Sequence, residues 1–463
     1  MVYIPVTPIT TRRDNMTTLR KKAAVIMQSG GFRKYFANTG WMMFNQVFNL
    51  AMAFFVGVYV ARYLGPTSYG ILSFSLSIIG FVNVFSALGL KQIIKRNLVR
   101  EPHNQTNILG SAFFMQILAS ILAMVVLAIC LPWISDDEIT NLVILILSTK
   151  ILLQAFEVIT PHFESKVQSK KLVPISLAKT AIAASIKLYL IFVAASLEYF
   201  ALVYVIETLV SVVGLIIVYQ HSGGDVFRWR LNKSYAKQLL KDSWPLVLSG
   251  FVVVVYMQID QVMIKYLLDD AAVGVYAVAV KFTSIWYFVG GIVCSSLMPA
   301  IIRAKEKNAT LYQNRTQNLL SLMVFLGVGI ALPLSLISKP LILFLYGPDF
   351  IGASNVMIIH IWSLIFVFLG VASNQWLIAE NLQVLNLSRT MLSAVANISL
   401  NLFLIPNYGI QGAAFATFLA HMISSYLGYT VSRKTIGMFK MQTKALLIYP
   451  ILYQFYLQSK SRI

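Results

Sequence analysis

Runs of about twenty apolar residues, separated by short polar stretches, recur along almost the whole chain. A hydrocarbon core about 30 Å thick is crossed by roughly 20 helical residues. The pattern therefore predicts twelve membrane-spanning helices, near 38–61, 70–90, 108–131, 141–160, 173–195, 199–219, 245–267, 274–298, 319–337, 355–379, 387–405 and 410–431. Segment 445–457 is shorter and is interrupted by Pro450 and Gln454, which predicts an interfacial or packed C-terminal helix. The polar stretches divide the chain into a basic tail (1–37), an N-lobe (38–219), a basic linker (220–244), a C-lobe (245–431) and a second tail (432–463).

Composition agrees with a membrane solvent. Of the 463 residues, 58% are hydrophobic and only 12% charged, too few charges to coat soluble domains. The formal charge of +20 would suggest nucleic acid in a soluble chain, so the position of the charges decides its meaning. Thirty basic residues fall in the two tails and the even-numbered connections, whereas the odd-numbered connections hold three, Arg62, Lys265 and Lys339, with seven acids. Lys and Arg are retained in cytoplasmic loops. The alternation predicts both termini in the cytoplasm, and the scatter of basic residues over short loops argues against a nucleic-acid partner. No cleavable apolar segment precedes Trp41, so the N-tail does not read as a signal peptide.

Six spans per half would place the two halves in the same orientation, about an axis along the membrane normal. Residues 176–190 (SLAKTAIAASIKLYL) and 386–400 (NLSRTMLSAVANISL) align Lys179 with Arg389, Thr180 with Thr390 and Lys187 with Asn397. Arg62-Tyr63-Leu64 before Gly70 likewise resembles Lys265-Tyr266-Leu267 before Gly274, with one residue inserted. The expected fold is thus all-α: about twelve transmembrane helices in two pseudo-symmetric six-helix lobes around a central cavity.

Seven ionisable residues fall inside spans: Lys150, Glu157, Lys179, Lys187, Glu207, Asp260 and Lys281. A charge at a helix centre costs about 2.5 to 3.5 kcal/mol against lipid, so the central ones should face protein or water. Counting helical rise puts Lys150, Lys187 and Glu207 about 12 to 14 Å deep, a candidate cluster in the first lobe. Asp260 and Lys281 lie at similar depth on spans 7 and 8 and form a candidate ion pair. Glu157 reads as an interfacial charge. Three lysines against two carboxylates leave the first lobe with a cationic excess, which calls for an anion. His360 and His421 read as core or cavity-lining residues, and Cys130 and Cys294 as buried small side chains. The chain carries no Walker A sequence, hydrolytic triad or metal-ligand spacing, and its short outer connections leave no room for a catalytic domain. The expectation is a carrier with no enzymatic activity, cofactor or metal.

Several segments then resemble the Wzx-type polysaccharide flippases of the superfamily that also holds MATE exporters and lipid II flippases. They are ARYLGPTSYG at 61–70, ALGL at 87–90 leading to Lys95-Arg96, QIDQVMI at 258–264, PLILFLYG at 340–347 and NLFLIPNYGIQGAA at 401–414. One departure is the count, since such flippases often have fourteen spans. The resemblance implies transport of undecaprenyl-diphosphate-linked oligosaccharide to the outer leaflet of a bacterial plasma membrane, for O-antigen, capsule or a related glycan. It also implies contact with membrane lipids and with the polymerase and chain-length regulator of the same pathway. The diphosphate candidates are Lys150, Lys179, Lys187 and Arg62, with Arg62 equally readable as an interfacial anchor. Coupling or gating candidates are Glu207, Asp260 and Lys281, and sugar-contact candidates are Tyr189, Tyr256, Gln258, Trp286, Asn374, Gln375, Trp376 and Asn397. A MATE-like cation exporter and a glycan polymerase or ligase are the alternatives. The cationic first lobe argues against the former and the lack of a large outer loop against the latter.

Overall fold

The computed structural model describes residues 30–447. The segment 448–457, and with it most of the expected C-terminal helix, lies outside the described residues.

Among the described residues, ten helical segments are long and apolar enough to cross a membrane. Two of them are broken at a single glycine. In Gly30–Ala87 the break is at Gly65, with φ of 72°. In Val384–Ser425 it is at Gly409, with φ of 58°. A left-handed residue interrupts the helical hydrogen-bond ladder, and glycine adopts that conformation without a Cβ penalty. Pro66 lacks the N–H that a continued helix would need. Divided at these glycines, the ten segments become twelve, a number consistent with the twelve spans expected from the sequence. They are α1 (30–64), α2 (66–87), α4 (Gln105–Ile134), α5 (Glu138–Leu153) with α6 (Ile159–Ser165), α7 (Val173–Phe192), α8 (Leu197–His221) and α9 (Lys233–Leu267). The rest are α10 (Asp270–Ser284) with α11 (Tyr287–Lys307), α12 (Ala309–Leu336), α14 (Ala353–His360) with α15 (Ser363–Ala379), α16 (384–408) and α17 (410–425). Helices α3 (Leu90–Arg100), α13 (Ser338–Tyr346) and α18 (Ile436–Leu446) lie between or after spans.

Short polar side chains start several helices. Asp137 accepts from the Thr140 amide at 2.8 Å, Asn232 from Ser234, Asp269 from Ala272 and Asn308 from Thr310. Each satisfies a backbone donor that the first turn leaves unpaired.

The hydrophobic core is divided in a way that bears on function. On the face carrying the Gly65 and Gly409 turns, one cluster joins both halves of the chain, from Phe74 and Leu147 to Tyr276 and Ile405. On the opposite, basic face the cores separate. One cluster gathers Ile94, Ile108, Phe163 and Tyr219, and the other Met323, Phe368, Tyr429 and Met438. The lobes are therefore welded by one shared apolar core at the turn face, whereas at the basic face their cores are separate. Contact there runs through α9, where the Phe251 ring lies 5.2 Å from that of Phe85 and Asp242 pairs with Arg96.

The weld is tightest where α2 crosses α10. A Cβ on Gly70 would lie 1.8 Å from the Asp270 carbonyl oxygen, and one on Gly274 would lie 2.0 Å from that of Pro66. Each glycine thus faces the carbonyl four residues before the other. This reciprocity is a local two-fold, and it falls on the two glycines that the sequence repeat aligns.

The expected linker at 220–244 is not free chain. Trp229 is buried, with its ring 5.1 Å from that of Phe113 on α4, and Leu239 on the first turns of α9 belongs to the N-lobe core. Near the C-terminus, α18 docks in the C-lobe, where fully buried Gln442 donates to the Ser373 hydroxyl at 2.7 Å and the Ser425 carbonyl at 2.8 Å.

Candidate functional site

A cleft lies between the lobes, in two compartments of about 430 and 320 Å³ that share Tyr69, Tyr204 and Lys281 as walls. The larger is lined by α1, α7 and α8 and receives Lys179, Lys187, Glu207 and Lys281. The smaller adds Gln258 and Gln261 of α9. Helical spacing explains the convergence. Lys179, Ala183 and Lys187 fall at every fourth position of α7, one stripe on one face. Asn49 of α1 ties this stripe in place, donating to Ser176 at 2.8 Å and accepting from Thr180 at 2.6 Å.

Charge is unbalanced there. Glu207 lies 4.0 Å from Lys179. Lys187 has no carboxylate within that distance among the described residues; its ammonium sits 4.2 Å from the centre of the Tyr204 ring. Lys150 approaches the same ring at 5.9 Å. Among the described residues, the Lys281 ammonium donates only to the Tyr69 hydroxyl, at 3.4 Å, and it rests against α1 where Gly57 leaves space for it. Aromatic faces stabilise cations without neutralising them, each such contact contributing about 0.5 to 2 kcal/mol. The lysines therefore stay available to an anion.

The expected pairing of Asp260 with Lys281 does not occur. On α10, Tyr276 and Lys281 are five residues apart, which at about 100° per residue separates their side chains by roughly 140°. Tyr276 takes the face toward Asp260, donating at 2.7 Å, and Lys281 takes the cleft. Asp260 is buried in the C-lobe and also accepts from Asn401 at 2.6 Å and from the Thr417 hydroxyl. Asn397 accepts from Asn401 at 3.2 Å. The Asn401 side-chain oxygen lacks a donor and the Asn397 side-chain nitrogen lacks an acceptor, so this cluster keeps one free acceptor and one free donor.

Other candidates fall elsewhere. Lys150 and Lys187 meet at Tyr204, but Glu207 turns to Lys179 and does not complete the expected trio. Arg62 is exposed on the turn face, outside the cleft. Of the sugar-contact candidates Gln258 lines the cleft, whereas Tyr256 bonds His421 and Asn397 joins the Asp260 cluster. Trp286 packs against the C-lobe core, and Gln375 and Tyr189 are exposed outside the cleft. Asn374 and Trp376 do not line it either. Glu157 is exposed at a different cavity on the basic face. Residues missed in the sequence are Tyr204, three positions before Glu207, and Asn401 and Thr417, which are polar but uncharged.

Two lobes of six spans, welded at one face around a cationic cleft, define a polytopic membrane protein of the transporter fold shared by MATE and lipid II flippase structures. A lipid II flippase, MurJ, in an inward closed conformation superposes with a TM-score of 0.70 at 14% identity, covering 90% of this chain and 93% of its own. An inward-facing multidrug MATE transporter of the MOP superfamily gives 0.68 at 14% identity, over 86% and 95%. The chain belongs to the polysaccharide biosynthesis protein family, whose model matches residues 59–355. The resemblance read from the sequence is thereby borne out. Among relatives, the probable low-salt glycan biosynthesis flippase Agl15 of Haloferax volcanii is 27% identical over 215 residues, 44% of this chain and 45% of its own. The probable flippase AglR of the same organism is 27% identical over 190 residues, 39% of each. The chain thus spans less than half the length of the curated relatives it matches.

Proposed function

We propose that this protein is a flippase that moves a diphosphate-linked oligosaccharide across the plasma membrane by alternating access. The observation that carries this reading is the cleft of lysines without matching carboxylates, at a depth where a bare cation is costly. A diphosphate supplies the missing charge and accepts from several ammonium groups at once. Lys187, Lys281 and Lys179 bind it, Lys150 reinforces the field from behind Tyr204, and Glu207 keeps Lys179 oriented. Gln258 and Gln261 offer hydroxyl-recognising groups in the adjoining compartment. The MATE relationship in fold does not extend to cation export in this reading, because the cleft carries the wrong sign of charge.

The basic face is cytoplasmic in this account, following the retention of Lys and Arg in cytoplasmic loops. The joined core at the turn face and the separate cores at the basic face support an inward-facing reading, with cargo accepted from the leaflet where it is assembled. The carrier lipid is a polyprenyl diphosphate, undecaprenyl diphosphate in a bacterial host, and the glycan is destined for O-antigen, capsule or a related polymer whose polymerase and chain-length regulator act downstream. The named curated relatives are archaeal, so the identity of the carrier lipid is part of the test. Asp260, with Asn401, Thr417 and Tyr276, is the coupling centre, exchanging a proton or monovalent cation as the lobes rock.

The experiment is lipid analysis of cells lacking the gene. Diphosphate-linked oligosaccharide should accumulate and return to normal with the wild-type gene. It should not return with Lys187→Ala or Lys281→Ala at equal protein level. A normal lipid-linked pool in the deletion strain would reject the reading.

A further inference from the structure

A second cavity, of about 340 Å³, opens inside the N-lobe at the basic face, between the end of α2, α3, α4 and the break in the fourth span. Its size falls in the range of small-molecule sites, about 300 to 1,000 Å³. Two backbone irregularities shape it. Between α5 and α6 the helix tightens to 3-10 geometry over Gln154–Val158, which places Gln154 and Glu157 on the cavity wall. At the end of α2 the chain turns through Leu88 and Gly89, both with positive φ, and Gly89 packs against α9.

Among the described residues, the buried polar atoms of this wall that lack partners are both acceptors. Gln116 is 91% buried, and its amide nitrogen donates to the Ala87 carbonyl at 2.9 Å. A carbonyl can only accept, so that bond fixes the amide orientation and leaves the Gln116 oxygen as an acceptor, which has no partner. The Gln154 side-chain oxygen also has none. Ser86 and Ser120 spend their protons on the carbonyls of Asn83 and Ile151, at 3.0 and 3.3 Å, which leaves lone pairs. Glu157 adds a carboxylate with no basic partner within 4 Å among the described residues. The one cation on the wall, Lys91, is held by Glu164 at 3.2 Å. Buried acceptors without donors are costly and call for a donor-bearing occupant.

We infer that this cavity is a sugar-binding site distinct from the lysine cleft, taking the hydroxyl groups of a neutral saccharide at the basic face. A phosphate, which brings only acceptors when ionised, would leave the buried Gln116 and Gln154 oxygens without donors. The cleft is the reverse, rich in cationic donors. Naming the donor-rich occupant a sugar rests on the flippase reading; the acceptor-lined wall does not.

The test uses the purified full chain in lipid nanodiscs. The probe is the oligosaccharide released by mild acid from the host's lipid-linked pool, titrated calorimetrically, with spermidine as the competing donor-rich probe. Wild type should bind the oligosaccharide. Gln154→Leu, which removes no existing hydrogen bond, should weaken binding at least tenfold, and Gln154→Glu, which keeps an acceptor, should retain it. Gln116→Leu should weaken it as strongly, with a melting temperature recorded because its bond to Ala87 is lost. Absence of oligosaccharide binding by wild type, equal binding by wild type and Gln154→Leu, or binding of spermidine in its place would overturn the inference. Loss on Lys187→Ala with no loss on Gln154→Leu would move the sugar to the cleft and overturn it too. Were the lysine variants to stall export while the oligosaccharide failed to bind, only this site would fall. A normal lipid-linked pool in the deletion strain would reject the flippase reading regardless of this titration.

Discussion

The crossing of α2 and α10 offers a quantitative perturbation. Alanine at Gly70 would place a methyl carbon 1.8 Å from the Asp270 carbonyl oxygen, and alanine at Gly274 would place one 2.0 Å from that of Pro66. Both are more than an ångström inside van der Waals contact with backbone atoms that have no rotamer to yield. The helices must part, and overpacking of this kind costs about 1 to 3 kcal/mol. That cost falls on the conformation welded at the turn face and not on one in which the weld is open. The equilibrium should therefore shift toward the open-weld state by about 5-fold to 150-fold. Ser73, buried beside the crossing on the wall of the smaller compartment, is a suitable reporter. In a background lacking Cys130 and Cys294, Ser73→Cys should react faster with a membrane-impermeant maleimide added at the turn face when Gly70→Ala or Gly274→Ala is present. Because the contact is reciprocal, the two substitutions should act in the same direction, and the double variant should fall short of their sum. Unchanged labelling in both variants, with unchanged thermal melting, would refute the assignment of this crossing as the seal.

Three further outcomes follow from particular contacts. A Cβ at Gly57 would lie 2.5 Å from the Lys281 ammonium, the mobile end of a side chain, so Gly57→Val should fold normally yet lower glycan export several-fold, read as surface glycan at equal protein level. Asp260→Asn preserves shape, and its hydroxyl partners can reverse their donors; the protein should remain folded while transport into proteoliposomes no longer responds to an imposed pH or sodium gradient. Asp137→Ala should remove the cap of α5 and cost about 1 kcal/mol, measured as a lower unfolding midpoint in detergent. Hydrogen bonding from Thr140 holds the Asp137 carboxyl below its ordinary range. Its folded value thus lies below its unfolded value, so the stabilisation is complete above the unfolded value and is lost as pH falls through the folded one.

How much of this was legible in the sequence depends on the physics that wrote it. The spans were legible because lipid demands about twenty apolar residues per crossing, and the turns at Gly65 and Gly409 fell where polar punctuation placed them. The grip of Trp229 and Leu239 on the N-lobe was not, since a short basic stretch with scattered aromatics reads as linker until its contacts are known. Lys179, Lys187, Glu207 and Lys281 were found as intramembrane charges, and the cleft collects all of them. The partner of Asp260 was misread because depth along a helix was used without its angular phase, which sends Tyr276 and Lys281 to different sides. Asn401 and Thr417 escaped because neutral polar residues are cheaper in a membrane and do not stand out as charges do. Tyr204 escaped because nothing in an apolar helix separates an aromatic that faces lipid from one that holds two lysines.

The central claim is that lipid-linked glycan crosses the membrane through the lysine cleft. Proteoliposomes holding the purified protein and a fluorescent diphosphate-linked oligosaccharide in one leaflet test it directly, by the fraction that becomes accessible to an impermeant quencher on the other side. Wild type should equilibrate the lipid between leaflets, and the Lys187→Ala, Lys281→Ala double variant should leave it near the protein-free rate. Equal rates for wild type and the double variant would contradict the account.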